Sequence, residues 1–208
     1  TTFSLATPLL SVALTDLFGI EASKWVTIAI LITICVIYTV SVLHGMKGVK
    51  FLAQICMYVF FALLIYVLVF GKRPIYIMET GFSAVGNLLQ NFIKMSTWTD
   101  ALRTSSFPQN WTIFYWAYWM VWCVAAPFFM GSISKGRSIK QVVLGAYVFG
   151  LSSTFISFII LGNYGLGLQT SGTLDLMAIY ADTGNLYQTI LAIVHTLPVP
   201  QLVLIILI

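Results

Sequence analysis

Seven large aromatic rings fall within twelve residues: Trp111, Phe114, Tyr115, Trp116, Tyr118, Trp119 and Trp122. The π-face of such a ring carries negative charge density and attracts a cation without needing a proton from it. At about 100° per residue on a helix, all of these except Trp116 share an arc of roughly 140°. A membrane helix needs no aromatic stripe to be stable, because Leu and Val satisfy lipid equally well. Several rings turned inward would suit an organic cation, with Trp119, Trp122 and Tyr118 at its centre and Tyr115 and Trp111 at its margin. The competing use is an interfacial aromatic belt. A belt accounts well for Trp111 and Tyr115 near the helix start, and less well for Trp119 and Trp122, two and three turns deeper.

Other chemistry is poorly supplied. An enzyme working at membrane depth would need acids, bases or metal ligands there. Away from their ends the apolar spans carry no Asp, Glu, Lys or Arg, and neither His44 nor His195 has a partner at metal-ligand spacing. Cys35, Cys56 and Cys123 sit inside apolar runs, where thiols act as small hydrophobes. No catalytic residue, metal site or resident cofactor is assigned. A G-x-G-x-x-G nucleotide loop is also excluded at Gly162–Gly167, because the spacing is wrong and no strand precedes it.

The elements that must position the aromatic stripe are membrane helices. The chain is 60% hydrophobic and 8% charged, against about a quarter charged in soluble domains. This composition predicts an all-α integral membrane protein, and a net charge of +4 from so few basic residues does not suggest nucleic acid. Spans are expected at about 1–17, 25–43, 51–70, 110–131, 139–161 and 199–208. No charge interrupts the chain between Arg103 and Lys135, which is long enough for the aromatic helix to cross. Residues 75–95 read differently. Met78, Phe82, Val85, Leu89 and Phe92 recur at steps of four and three, opposite Glu79, Ser83, Asn87, Gln90, Asn91 and Lys94. That pattern predicts an amphipathic helix on the membrane surface or against the bundle. Asp16, Glu21 and Lys24 are expected in a short loop, Gly162–Gly167 as a break in regular helix, and 173–195 as short outer helices. Both chain ends lie in apolar runs, so a middle portion of a longer protein is expected.

Charge sets the orientation. The turns His44–Lys50 and Ser132–Lys140 hold Lys47, Lys50, Lys135, Arg137 and Lys140 with no acid, and the positive-inside rule places them in the cytoplasm. Lys72 and Arg73 then fall outside, an exception softened by Glu79 and Asp100.

The run N-W-T-I-F-Y-W-A-Y-W, followed by S-K-G-R-S, resembles the signature helix of the betaine/carnitine/choline transporter family. The signature reads W-T-x-x-[FY]-W-x-W-W, and Trp111, Thr112, Tyr115, Trp116 and Trp119 match it. Tyr118 stands where the family usually has the first tryptophan of the final pair. The turn G-x-K-G-V-K and the segment L-A-T-P-L are similar to the family as well, the latter to its carnitine branch. The resemblance covers nearly the whole chain, from a partial fifth transmembrane helix to the start of the tenth. It implies an inverted-repeat fold of five plus five helices, with residues 75–95 linking the repeats and a substrate site at mid-membrane. It implies a homotrimer in a bacterial inner membrane and a trimethylammonium substrate: carnitine, γ-butyrobetaine, glycine betaine or choline. Half of the family's aromatic box comes from a helix absent here, and half from the helix with Trp119 and Trp122. Tyr118, on the shared arc, is expected to line the path beside them, and Trp116, which points away from the arc, is assigned to packing. A membrane receptor for a quaternary amine is the alternative of another class. Alignment also puts Cys56 where the carnitine/γ-butyrobetaine antiporters carry an arginine, and Ala126 where they carry a methionine. Both family residues stand in for a sodium ion, so their loss leads us to expect coupling to Na+ or H+ in preference to ion-independent exchange.

Overall fold

The computed structural model describes residues 2–19 and 24–207. Every regular element among them is a helix: α1 (Thr2–Phe18), α2 (Lys24–Leu43), α3 (Gly45–Phe70), α4 (Pro74–Thr97), α5 (Gln109–Ile133), α6 (Ile139–Thr170), α7 (Leu176–Thr183), α8 (Leu186–His195) and α9 (Pro200–Leu207). Lipid offers no partner to backbone N–H and C=O groups, so an apolar run must satisfy them internally. Trp25–Leu43, Lys47–Phe70, Gln109–Ile133 and Ile139–Thr170 are each long and apolar enough to cross a membrane.

Local chemistry marks several helix ends. Pro74 opens α4, where its missing N–H costs nothing. Ser138 caps α6 reciprocally: its hydroxyl accepts from the Gln141 N–H, and its own N–H donates to Gln141 Oε1. Asp175 caps α7 and Asn185 caps α8, with Gly184 between them in the left-handed region at φ 59°. The short outer helices expected over 173–195 are α7 and α8.

Packing divides the chain into two units. One comprises Thr1–Met78 with Ser157–Ile208, and the other Glu79–Ile156. The first holds a buried cluster that includes Ala13, Leu64, Val67, Ile77, Tyr164 and Leu204. Three tyrosines anchor it. Tyr164 shares a 2.7 Å hydrogen bond with Thr196, Tyr76 shares one with Thr170, and the Tyr66 hydroxyl accepts from the Val199 N–H.

Two expectations are corrected in this unit. The glycine-rich segment at 162–167 does not leave the helix: α6 runs on to Thr170, with a π-helical stretch at Phe158–Gly162. Each glycine weakens a helix by about 1 kcal/mol relative to alanine. Here tertiary contact outweighs that cost, because a Cβ at Gly167 would lie 3.0 Å from the Tyr76 ring. Gly167 admits a close neighbour in place of ending the helix. The second correction concerns Asp16, which lies inside α1 and pairs with His195 of α8 at 2.9 Å. Glu21, expected in the same loop, lies outside the described residues. The structure also gives Arg73 a local role, since its guanidinium donates to the Gly167 carbonyl near the C-terminal end of α6. A cation is favoured there by the helix dipole.

Gly71 tests this packing. A Cβ at that position would stand 2.9 Å from the Tyr164 ring. Gly71→Leu is expected to displace the ring, break its bond to Thr196 and destabilise the protein by about 1–3 kcal/mol. A lower thermal midpoint in detergent, seen with Gly71→Leu and not with Gly86→Ala, is the check. Gly86 is a fair control because a Cβ there meets nothing within 4 Å.

Candidate functional site

The aromatic helix begins irregularly. Residues Gln109–Ile113 are π-helical, which widens the first turn before regular α-helix starts at Phe114. A π-turn shifts the phase of the residues before it relative to those after it, and such turns recur at functional sites. Rings four residues apart meet along the helix, as neighbours at that spacing do on any helix. Phe107 stacks on Trp111 at 6.3 Å between centroids, and Trp111 on Tyr115 at 6.1 Å. A second column stands beside it, with Phe114 stacked on Tyr118 at 6.2 Å and Tyr118 tilted against Trp122 at 6.3 Å.

Tyr118 joins the columns. Its ring meets Tyr115 and Trp119 edge-to-face at 6.4 Å and 5.9 Å, in addition to Phe114 and Trp122. Trp119, Trp122 and Tyr118 are thus one contiguous group, with Tyr115 adjoining and Trp111 one ring further out. A depression of about 520 Å³ opens along this helix, lined by Phe107, Trp111, Thr112, Tyr115, Trp116 and Trp119. Trp116 therefore lies on the same wall as Trp119. The two positions are about 60° apart around the helix, close enough for broad indoles to share a surface. Trp122 and Tyr118 lie on the other flank of Trp119.

No residue from Phe114 to Ile133 is buried. Deeper in the helix, Pro127 has no N–H to offer the Cys123 carbonyl, and Ala126 immediately precedes this gap in the hydrogen-bond ladder. Cys56 is an exposed thiol on α3.

Composition did not reveal what holds the start of α5. Asp100 is buried in the preceding loop at φ 47°, a conformation aspartate tolerates better than most residues. Its carboxylate accepts from the Ser105 N–H at 2.8 Å, from the Ser105 hydroxyl at 3.1 Å and from Thr104 at 3.0 Å. Gln109 ties the first turn back to the Thr99 carbonyl at 2.9 Å. The D-x-x-x-[ST]-[ST] spacing was the available signal, one that local side-chain-to-backbone bonding makes meaningful. The Ser105 N–H is the largest cause of a lowered Asp100 pKa, with the Thr104 and Ser105 hydroxyls adding to it. A carboxylate depressed in the folded state stabilises the loop fully above its unfolded pKa, and that contribution fades as pH falls through the folded value. Slow hydrogen exchange at the Ser105 amide should therefore persist through the ordinary carboxylate range and fail only in stronger acid. Asp100→Asn should speed that exchange at neutral pH as well.

With this geometry in hand, comparison with known families is decisive. The sequence profile of the betaine/carnitine/choline family transporters matches residues 1–208. The chain belongs to that family. Its members are transporters and not enzymes, so the protein is a multi-pass membrane transporter of betaine-, carnitine- or choline-type compounds. The all-helical architecture and the four apolar spans agree with this membership.

Proposed function

We propose that the protein is a secondary active transporter that carries a trimethylammonium compound across a bacterial inner membrane by alternating access. Carnitine, glycine betaine and choline are the candidate substrates. The observation that carries the reading is the group formed by Tyr118, Trp119 and Trp122, in which two indoles flank one phenol within 6.3 Å. A quaternary ammonium has no proton to donate, so carboxylates and carbonyls cannot hold it by hydrogen bonds. Each aromatic face contributes about 0.5–2 kcal/mol. Three or four faces together contribute about 1.5–8 kcal/mol, at most roughly micromolar binding, which suits a protein that must release what it binds. In this reading the remaining faces come from a helix outside this chain. The helices form part of a five-plus-five inverted repeat, α4 links the repeats along the membrane surface, and the working assembly is a homotrimer embedded in lipid.

Uptake of labelled carnitine, glycine betaine and choline into proteoliposomes tests the proposal. Uptake should be competed by the other trimethylammonium compounds and not by γ-aminobutyrate, which keeps the chain and carboxylate but lacks the methyl groups. Saturable binding without accumulation would favour a quaternary-amine sensor instead. Accumulation competed equally by γ-aminobutyrate would remove the aromatic site from the reading.

A further inference from the structure

The hairpin turn between α5 and α6 has a feature that substrate recognition leaves unused. Ser134 ends α5, the Arg137 N–H donates to its carbonyl at 3.0 Å, and Gly136 adopts φ 83° between them. That positive φ at the third position is what a type II turn requires, and it is why glycine stands there. Lys135, Arg137 and Lys140 are all exposed at this one end of two membrane spans. None has an acidic partner among the described residues.

Two apolar grooves leave this turn. One, of about 290 Å³, runs between the end of α5 and the first turns of α6, past Met130, Ile139 and Val143. The other, of about 590 Å³, runs along α6 past Leu144, Val148 and Phe149. Arg137 lines both. Gly131 borders the first and Gly145 the second, and a Cβ on either would meet nothing within 4 Å. Within the Glu79–Ile156 unit, no described side chain takes the room beside these glycines.

We propose that this end of the α5–α6 hairpin binds one anionic phospholipid of the cytoplasmic leaflet, with its phosphate on Arg137 and one acyl chain in each groove. Charge complementarity selects the occupant. A guanidinium can bond a phosphate through two parallel N–H groups, and Lys135 and Lys140 add the field that favours a net-negative headgroup. The positive-inside rule puts the turn on the leaflet where anionic lipid is met. Shape narrows it further, because two grooves that share one arginine offer separate places for the two chains of one headgroup. Gln141 lines the second groove, and its Oε1 is engaged by the Ser138 N–H. Its amide N–H groups remain as donors beside the phosphate.

Native mass spectrometry of the delipidated, intact protein tests this, with phosphatidylglycerol and phosphatidylcholine of identical chains titrated in parallel. Phosphatidylglycerol should be retained roughly tenfold better or more, as expected for three surface cations. Arg137→Gln and, separately, the pair Lys135→Gln with Lys140→Gln should each reduce that preference severalfold. Gly145→Leu, which keeps every charge and fills the groove, should weaken retention of both lipids. Equal retention of the two lipids, or an Arg137→Gln protein that retains phosphatidylglycerol as the parent does, would overturn the proposal. So would full displacement of the lipid by inorganic phosphate, which would make the site one for free anions. Arg137 shielded from phenylglyoxal in lipid-free detergent would assign the grooves to a protein segment and likewise overturn it.

Discussion

Trp119→Leu is expected to lower uptake of a trimethylammonium substrate about tenfold or more while leaving membrane insertion intact. Loss of one well-placed indole removes about 1–2 kcal/mol of cation attraction, and every 1.4 kcal/mol is a factor of ten. Trp122→Leu should behave similarly, since both rings rest on Tyr118. Tyr118→Phe keeps the π-face and should change uptake by less than about threefold, whereas Tyr118→Leu removes the ring against which both tryptophans are held and should match the tryptophan variants. Trp116→Leu is the discriminating control. Trp116 shares the depression with Trp119, yet its ring is not among those packed on Tyr118. It should lower yield more than uptake per molecule. Equal uptake defects from Trp116→Leu and Trp119→Leu, at matched surface expression, would sink the assignment.

The second large effect concerns the driving force. Uptake into proteoliposomes should rise severalfold when a sodium gradient or a proton gradient is imposed, each applied separately. The expectation rests on the proposed alignment of Cys56 and Ala126 with an arginine and a methionine of the family's ion-independent exchangers. A neutral thiol supplies no fixed positive charge, and alanine supplies no sulfur. A bound cation, a proton or a charge on another helix must then stabilise the arrangement that those residues hold in the exchangers. If neither gradient changes uptake and preloaded carnitine or γ-butyrobetaine drives it fully, the protein is an exchanger despite Cys56. Cys56→Arg offers a converse check, since a restored charge should reduce whichever gradient dependence is found.

Helices were the most legible part of this chain. A run such as Trp25–Leu43 has one stable option in hydrocarbon, so hydropathy alone foretells a helix. Aromatic spacing likewise announced a contiguous stripe of rings before any coordinate was known.

Glycine at 162–167 misled because the residue has two uses. It breaks a helix when nothing surrounds it, and it admits a neighbour when something does. Only the approach of the Tyr76 ring to Gly167 reveals which use applies. The contact between Asp16 and His195, residues far apart in sequence, was hidden for the same reason. So was the hydrogen bond from Arg73 to Gly167.

Family, helical class and the stripe of candidate rings were thus determined by the sequence itself, since each depends on residue type and short-range periodicity. Tertiary structure decided which rings touch. An arc drawn on a uniform 100° step leaves Trp116 outside it, yet indoles about 60° apart are broad enough to line one depression with Trp119. The anchoring of the π-helical turn at Gln109–Ile113 by Asp100 and Gln109, and the stacking that makes Tyr118 the common neighbour, exist only once side-chain size and backbone phase act together in space.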